Sequence, residues 1–299
     1  MEDITLDDYI LRATAGEGSV RAFVATTRNT VNEACDIHKT SPVVSAALGR
    51  LLSAAAIMGL TLKDDGDLLT INVKGDGQLS GLTVTANNKA MVKGYPYVQN
   101  VEIPLKENGK LDVSGALGYG TLTVIKDMGM KEPYVGQIPL VSGEIGEDLT
   151  YYFAKSEQTP SAIAVGVLVD IDYSIKQSGA FFIQMMPSAN ENIAEALEEK
   201  LKTFPPLTTL LEEGKTPEDI LEMLLGEFGV KINDKVPVSY HCNCERAKVE
   251  KALISVGLDE LKLILEEDKS ANLHCHFCNK NYSFDENDLK KIIESVQSK

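Results

Sequence analysis

The sequence predicts an α+β protein built in three parts. These are an N-terminal domain of antiparallel sheet plus helices over residues 1–186, a helical connector over 187–235, and a small C-terminal module over 236–299. Three observations carry that prediction. Short β-prone runs in the first part come mostly in hairpins, which favours an antiparallel sheet covered by helices. Composition changes after Pro187, where apolar residues begin to recur at helical spacing among glutamates and lysines. Four of the five cysteines then fall between residues 241 and 278.

Taken in order, residues 8–14 and 20–26 are β-prone and joined by Ala15-Gly16-Glu17-Gly18-Ser19, a natural hairpin connection. Helices follow over 29–39 and 42–60, with Pro42 suited to a first turn. Residues 68–74 and 82–86 flank Gly75-Asp76-Gly77, a second hairpin, and strands continue over 92–101, 121–126 and 135–140. A helix through about 158 places Leu149, Tyr152 and Phe153 on one face, and strands over 162–171 and 180–186 close the domain.

In the connector, Ile193, Leu197 and Leu201 make the apolar stripe of a helix over 190–202, which Phe204-Pro205-Pro206 stops. A short helical piece spans 207–213. Thr216-Pro217-Glu218-Asp219 then has the form of a helix start. The helix it opens carries Ile220, Leu221, Met223, Leu224, Leu225 and Phe228, more apolar surface than a free linker shows. Its apolar face is therefore expected to dock on the first domain. In the last module, helices over 245–256 and 259–267 separate the cysteine pairs, and Ser283 with Glu286 fits a capping box opening a final helix.

Composition narrows the function classes. The chain of 299 residues carries a net charge of −15 and a pI near 4.8, which argues against a nucleic-acid partner. Met1-Glu2-Asp3 lacks the basic and apolar regions of a signal peptide, so the cytoplasm is the expected compartment. The apolar run over 43–60 contains Arg50 and small polar residues and is read as a buried helix, with no membrane partner. Gly75-x-Gly77 and Gly115-x-x-Gly118-x-Gly120 do not complete a dinucleotide fingerprint and are read as turn glycines. There is no convincing catalytic triad, and the expectation is not an enzyme. Cys35 and His38 are read as structural.

The chemistry lies in Cys242-Asn243-Cys244 and Cys275-His276-Phe277-Cys278. Two cysteine pairs brought together by a helical hairpin can supply four thiolates to one tetrahedral zinc ion. His241, His274 or His276 could replace one of them. A module of roughly 60 residues with few apolar anchors would owe much of its folding free energy to the metal. A Cys242–Cys244 disulfide closes a very small ring and should be easy to reduce, a property suited to a switch. On spacing alone an inert structural module remains equally open.

The sequence resembles the redox-regulated bacterial heat-shock holdase chaperones of the 33 kDa chaperonin family, essentially over its whole length. The most specific residues are His241-Cys242-Asn243-Cys244-Glu245-Arg246, Cys275-His276-Phe277-Cys278-Asn279 and Tyr282-Ser283-Phe284-Asp285. Supporting stretches are Ser156-Glu157-Gln158-Thr159-Pro160-Ser161 and 179–187, where Ala180-Phe181 departs from an expected glycine. The resemblance implies an ATP-independent holdase that is inactive when one Zn2+ sits on Cys242, Cys244, Cys275 and Cys278. It also implies that oxidation pairs Cys242 with Cys244 and Cys275 with Cys278, releases zinc and unfolds module and connector. The activated homodimer would then bind unfolding proteins. The client surface would include Ile193, Leu197, Leu201, Ile220, Leu224 and Phe228. The alternatives are a zinc-module adaptor and an enzyme with a purely structural zinc site.

Overall fold

The structure is a computed structural model that describes residues 7–187, 189 and 191–297. Met1-Glu2-Asp3 and Asn190, the expected first residue of the connector helix, lie outside them. The chain divides into two compact units, Met1–His241 and Cys242–Lys299.

The first unit opens on a hairpin of β1 (Tyr9–Ala15) and β2 (Val20–Thr26), turned by Gly16 and Gly18 at φ 58° and 90°. Then come α1 (Arg28–His38) and α2 (Pro42–Gly59). β3 (Leu68–Gly75), β4 (Gly81–Ala86) and β5 (Met91–Pro96) follow, with the last ending five residues before the expected boundary. A short helix not read from the sequence, α3 (Val113–Leu117), precedes β6 (Gly120–Asp127) and β7 (Tyr134–Pro139). α4 (Gly146–Tyr152) runs on into a π-helical turn over Phe153–Glu157. β8 (Ser161–Val169) and β9 (Ile175–Met185) lead to α5 (Glu191–Lys202), α6 (Leu207–Glu212) and α7 (Pro217–Leu225). Two strands close the unit, β10 (Lys231–Pro237) and β11 (Ser239–Tyr240).

These strands make a five-stranded sheet, β10-β1-β2-β9-β8, and a six-stranded sheet, β11-β5-β4-β3-β6-β7. Every pairing is antiparallel except the two-residue match of β11 with β5. α2 packs on β8 and β9 of one sheet and on β4 and β5 of the other, so the long apolar run is a core helix. Its small residues permit close approach: a Cβ on Gly49 would lie 2.5 Å from a Val31 methyl and 2.8 Å from one of Val167. The turn glycines have the same reason. The 75–79 turn donates backbone hydrogen bonds to Ala116, Leu117 and Tyr119, and a Cβ on Gly75 would meet the Leu117 carbonyl at 1.9 Å.

Asp148 fastens the loop that enters α4. Its fully buried carboxylate accepts from the backbone N–H groups of Val141, Ser142 and Gly143 on one oxygen and of Ile145 on the other. Ile145 sits at φ 68°, a strained value for a β-branched residue that this bond helps to hold. Asn offers one acceptor oxygen and turns an NH2 group toward one of these donors. The Asp148→Asn protein is therefore expected to lose about 2–4 kcal/mol of first-unit stability, read from a urea-unfolding curve followed by circular dichroism.

β10 corrects the reading of a connector that is helical through 235: residues from Lys231 on pair with β1, and a bulge falls between Arg12 and Ala13. Lys231–Pro237 lies on the sheet edge and buries almost nothing, so no alternation of apolar and polar residues marks it.

The second unit holds α8 (Arg246–Ile254) and α9 (Leu258–Glu267), then a hairpin of β12 (Ala271–His274) and β13 (Asn281–Phe284), and α10 (Glu286–Gln297). Its core is small: Leu253, Leu261, Phe284, Leu289, Ile292 and Ile293. The expected Ser283/Glu286 box is displaced by two residues. Strand β13 runs through Phe284, so Asp285 and Asp288 exchange the capping bonds, while Ser283 Oγ donates to Asn272 Oδ1.

Candidate metal centre and the docked connector

Two local structures deliver the cysteines. Cys242 and Cys244 lie in the irregular segment that enters α8. Cys275 and Cys278 lie in the turn of the β12–β13 hairpin, which the Cys275 N–H closes onto the Lys280 carbonyl at 2.9 Å. The N–H groups of Cys278 and Asn279 both turn back to the Cys275 carbonyl, at 3.3 and 2.8 Å, and Asn279 completes the turn at φ 55°. The sequence did not show this hairpin.

All four sulfurs fall within 4.8 Å of one another, and they are the one such group of potential ligands among the described residues. Cys242 and Cys275 are 3.7 Å apart and Cys244 and Cys278 3.1 Å, sulfur to sulfur. Tetrahedral zinc with bonds of about 2.3 Å requires sulfurs about 3.8 Å apart, so the donor set fits such an ion after minor expansion. No histidine belongs to the group. His274 Nδ1 meets Asn281 Oδ1 at 2.8 Å and its ring abuts that of His276 at 5.3 Å. The His241 N–H donates to the Val92 carbonyl, which places that residue in the first unit's sheet.

Tyr282, quoted above only as part of the family motif, supports the cluster directly. Its hydroxyl lies 3.2 Å from Cys244 Sγ and 3.0 Å from the Cys244 carbonyl. Burial works against ionisation of Cys244, but the Tyr282 hydroxyl and the neighbouring thiols outweigh it and draw this thiol down to about 7. Burial pushes Cys242 and Cys278 up, and the Cys278 thiol is raised further by its proximity to Cys244. A metal must therefore displace protons from these two sulfurs, and its affinity is expected to fall as pH drops. Arg246, the cation two residues after Cys244, is committed to Asp288 at 2.6 Å and to the Ser283 carbonyl at 2.9 Å. Tyr282→Phe is expected to weaken metal retention about tenfold with the fold intact, measured by competition with a chromophoric chelator.

The connector residues named from the sequence all pack on one face of the five-stranded sheet. Leu197, Ile220 and Leu224 are buried there against Leu11, Ala13, Ala22, Val24, Phe181 and Ile183, while Ile193, Leu201 and Phe228 are half-buried at the margins. Leu207, Leu210, Leu211, Leu221 and Leu225 are buried equally deeply. Leu221 and Leu225 each follow a stripe residue by one position, a signal that the apolar face is wider than a single stripe. Cys35 and His38 are both buried in the first unit; burial raises the Cys35 thiol against the pull of the Ser45 and Thr40 hydroxyls.

A family description, Hsp33 protein, matches residues 8–285. The chain belongs to the Hsp33 family. It is 50% identical over 96% of its length to a "33 kDa chaperonin" of Lachnoclostridium phytofermentans, covering 99% of that protein. It is 47% identical over 98% of its length to the protein of the same name from Acetivibrio thermocellus, again covering 99% of it. A crystal structure of the 33 kDa chaperonin of Thermotoga maritima superposes with a TM-score of 0.88 at 35% identity, over 98% of this chain and all of that one. The α+β fold with antiparallel sheets and helices and a cysteine-bearing C-terminal unit is thus the fold of an Hsp33 protein.

Proposed function

We propose that this Hsp33 protein is a redox-regulated, ATP-independent holdase whose four cysteines, Cys242, Cys244, Cys275 and Cys278, hold one zinc ion in the resting state. The observation that carries the reading is the pairing of a four-sulfur cluster in a thinly packed unit with a connector whose apolar face is covered. Thiolates are the form that oxidants attack, so peroxide or hypochlorite acting on the cluster converts ligands into disulfides and removes the metal's hold. The second unit, with only six buried apolar side chains, then has little left to fold around.

The route from there to the connector runs through two weak elements. β10 is exposed along nearly its whole length and bulged, and β11 contributes two residues. Both lie between α7 and Cys242 in the chain. Their loss frees α5–α7 to leave the sheet, uncovering apolar surface on the helices and on the strands beneath. Such surface captures unfolding chains without sequence readout and requires neither a catalytic residue nor a nucleotide. The activated protein works as a homodimer in the cytoplasm.

Sulfur contacts of 3.7 and 3.1 Å join the two pairs, Cys242 to Cys275 and Cys244 to Cys278. Oxidation within each pair, as family resemblance implies, therefore requires these sulfurs to rearrange as the metal's hold is lost, and peptide mapping of the oxidised chain tests it. The reading as a whole is tested by following zinc release, thiol loss and light scattering of a thermally unfolding client during peroxide treatment. Suppression that rises with zinc release is expected. An oxidised, zinc-free protein that leaves client aggregation unchanged refutes it.

A further inference from the structure

The docked connector differs in charge from the surface it covers. Residues 187–230 contain ten carboxylates and three lysines, so this segment carries nearly half of the chain's net charge of −15. Its apolar side chains face the sheet, and Glu195, Glu198, Glu199, Glu212, Glu213 and Glu222 are exposed on the other side. The sheet residues packed against its apolar face include Leu11, Ala13, Val24, Phe181 and Ile183.

Two of the connector's ion pairs are made to lysines outside it. Lys176 on β9 holds Glu212 at 2.5 Å, and Lys235 on β10 lies 3.8 Å from Glu218. Both are lost when α6 and α7 leave the sheet. The pairs that travel with the connector, Lys200 with Glu227 and Lys202 with Glu199, neutralise only two of its acids. Release therefore creates an amphipathic ribbon in which an apolar stripe is bordered by uncompensated carboxylates.

We propose that this ribbon makes the activated protein selective: it favours unfolded segments that combine apolar with basic side chains. The inference rests on the holdase reading and adds to it the chemistry of the partner. A Lys- or Arg-bearing client segment lays its apolar groups on the Leu and Ile stripe and its cations against the flanking glutamates. A segment bearing glutamates meets the same stripe against like charge.

The experiment uses the full chain, oxidised and zinc-free, with two fluorescent peptides of identical Leu and Phe content, one carrying four lysines and the other four glutamates. Fluorescence anisotropy in low salt is expected to show the lysine peptide bound about tenfold tighter, a preference that shrinks to about twofold in 0.5 M NaCl. The variant Glu195→Gln, Glu198→Gln, Glu213→Gln, Glu222→Gln changes exposed side chains outside the ion pairs described above. It should keep the resting fold, read by circular dichroism, and its binding of the glutamate peptide should rise towards that of the lysine peptide. Equal affinity for both peptides in low salt, with client aggregation still suppressed, overturns the selectivity and leaves the holdase standing. Binding of neither peptide, with no suppression of aggregation, overturns both.

Discussion

Leu224→Asp is expected to make the reduced, metal-loaded protein suppress client aggregation without any oxidant. Leu224 is fully buried where α7 lies on β1 and β2. Truncating such a residue to alanine already costs about 2–5 kcal/mol. A carboxylate there must also be desolvated against Leu11, Val24 and their neighbours, with no partner to compensate it. The helix can escape that cost by leaving the sheet, whereas the α2 core between the two sheets cannot. Light scattering of a client should show activity in the variant before oxidation, and hydrogen exchange should show α2 amides still protected. Leu224→Ala should give a smaller effect in the same direction. A Leu224→Asp protein that keeps α7 protected and stays inactive separates the connector from the client surface.

The second large effect is loss of the C-terminal unit when the cluster loses a ligand or its metal. Chelation under reducing conditions removes a term of about 10–16 kcal/mol on the scale of zinc-folded peptides, and Cys278→Ser removes part of it. What remains is a core of six buried apolar side chains and the Arg246–Asp288 contact between α8 and the start of α10, which is half-exposed and contributes at most about 1 kcal/mol. Ordering dozens of residues costs far more than that. Proteolysis should therefore cleave within residues 242–297 while the sheets of the first unit resist. Cys35→Ser, by contrast, changes a buried thiol remote from the cluster in sequence and should leave metal content unchanged.

How far the sequence reveals this molecule depends on what each segment buries. The hairpins at Gly16–Gly18 and Gly75–Gly77 were legible because a turn needing glycine flanks strands with apolar alternation. The cluster was legible because few residue types serve as metal ligands, and here four of them recur at short spacing. The docking of α5–α7 could be foreseen from apolar residues in excess of what a free helix carries.

β10 was not legible because an edge strand takes its hydrogen bonds from β1 and gives almost no side-chain signal. The β12–β13 hairpin was hidden for another reason: its turn residues include Cys275, His276, Cys278 and Asn279, which read as chemistry before they read as a turn. Missing that hairpin also put the expected α10 cap at Ser283 and Glu286, where the structure has Asp285 and Asp288. The role of Tyr282, named in the sequence only within the family motif, was obscured with it, because its support of Cys244 depends on its place on β13.

The central claim is that the state of the cysteine cluster controls whether the connector stays on the sheet. Amide hydrogen exchange over Ile220–Leu225 and over β2, measured in reduced metal-bound and in oxidised zinc-free protein, tests it most directly. The account predicts strong protection of α7 in the first state and its loss in the second, with α2 protected in both. If α7 stays fully protected after the C-terminal unit has lost its zinc and unfolded, the cluster does not govern the connector and the mechanism is contradicted.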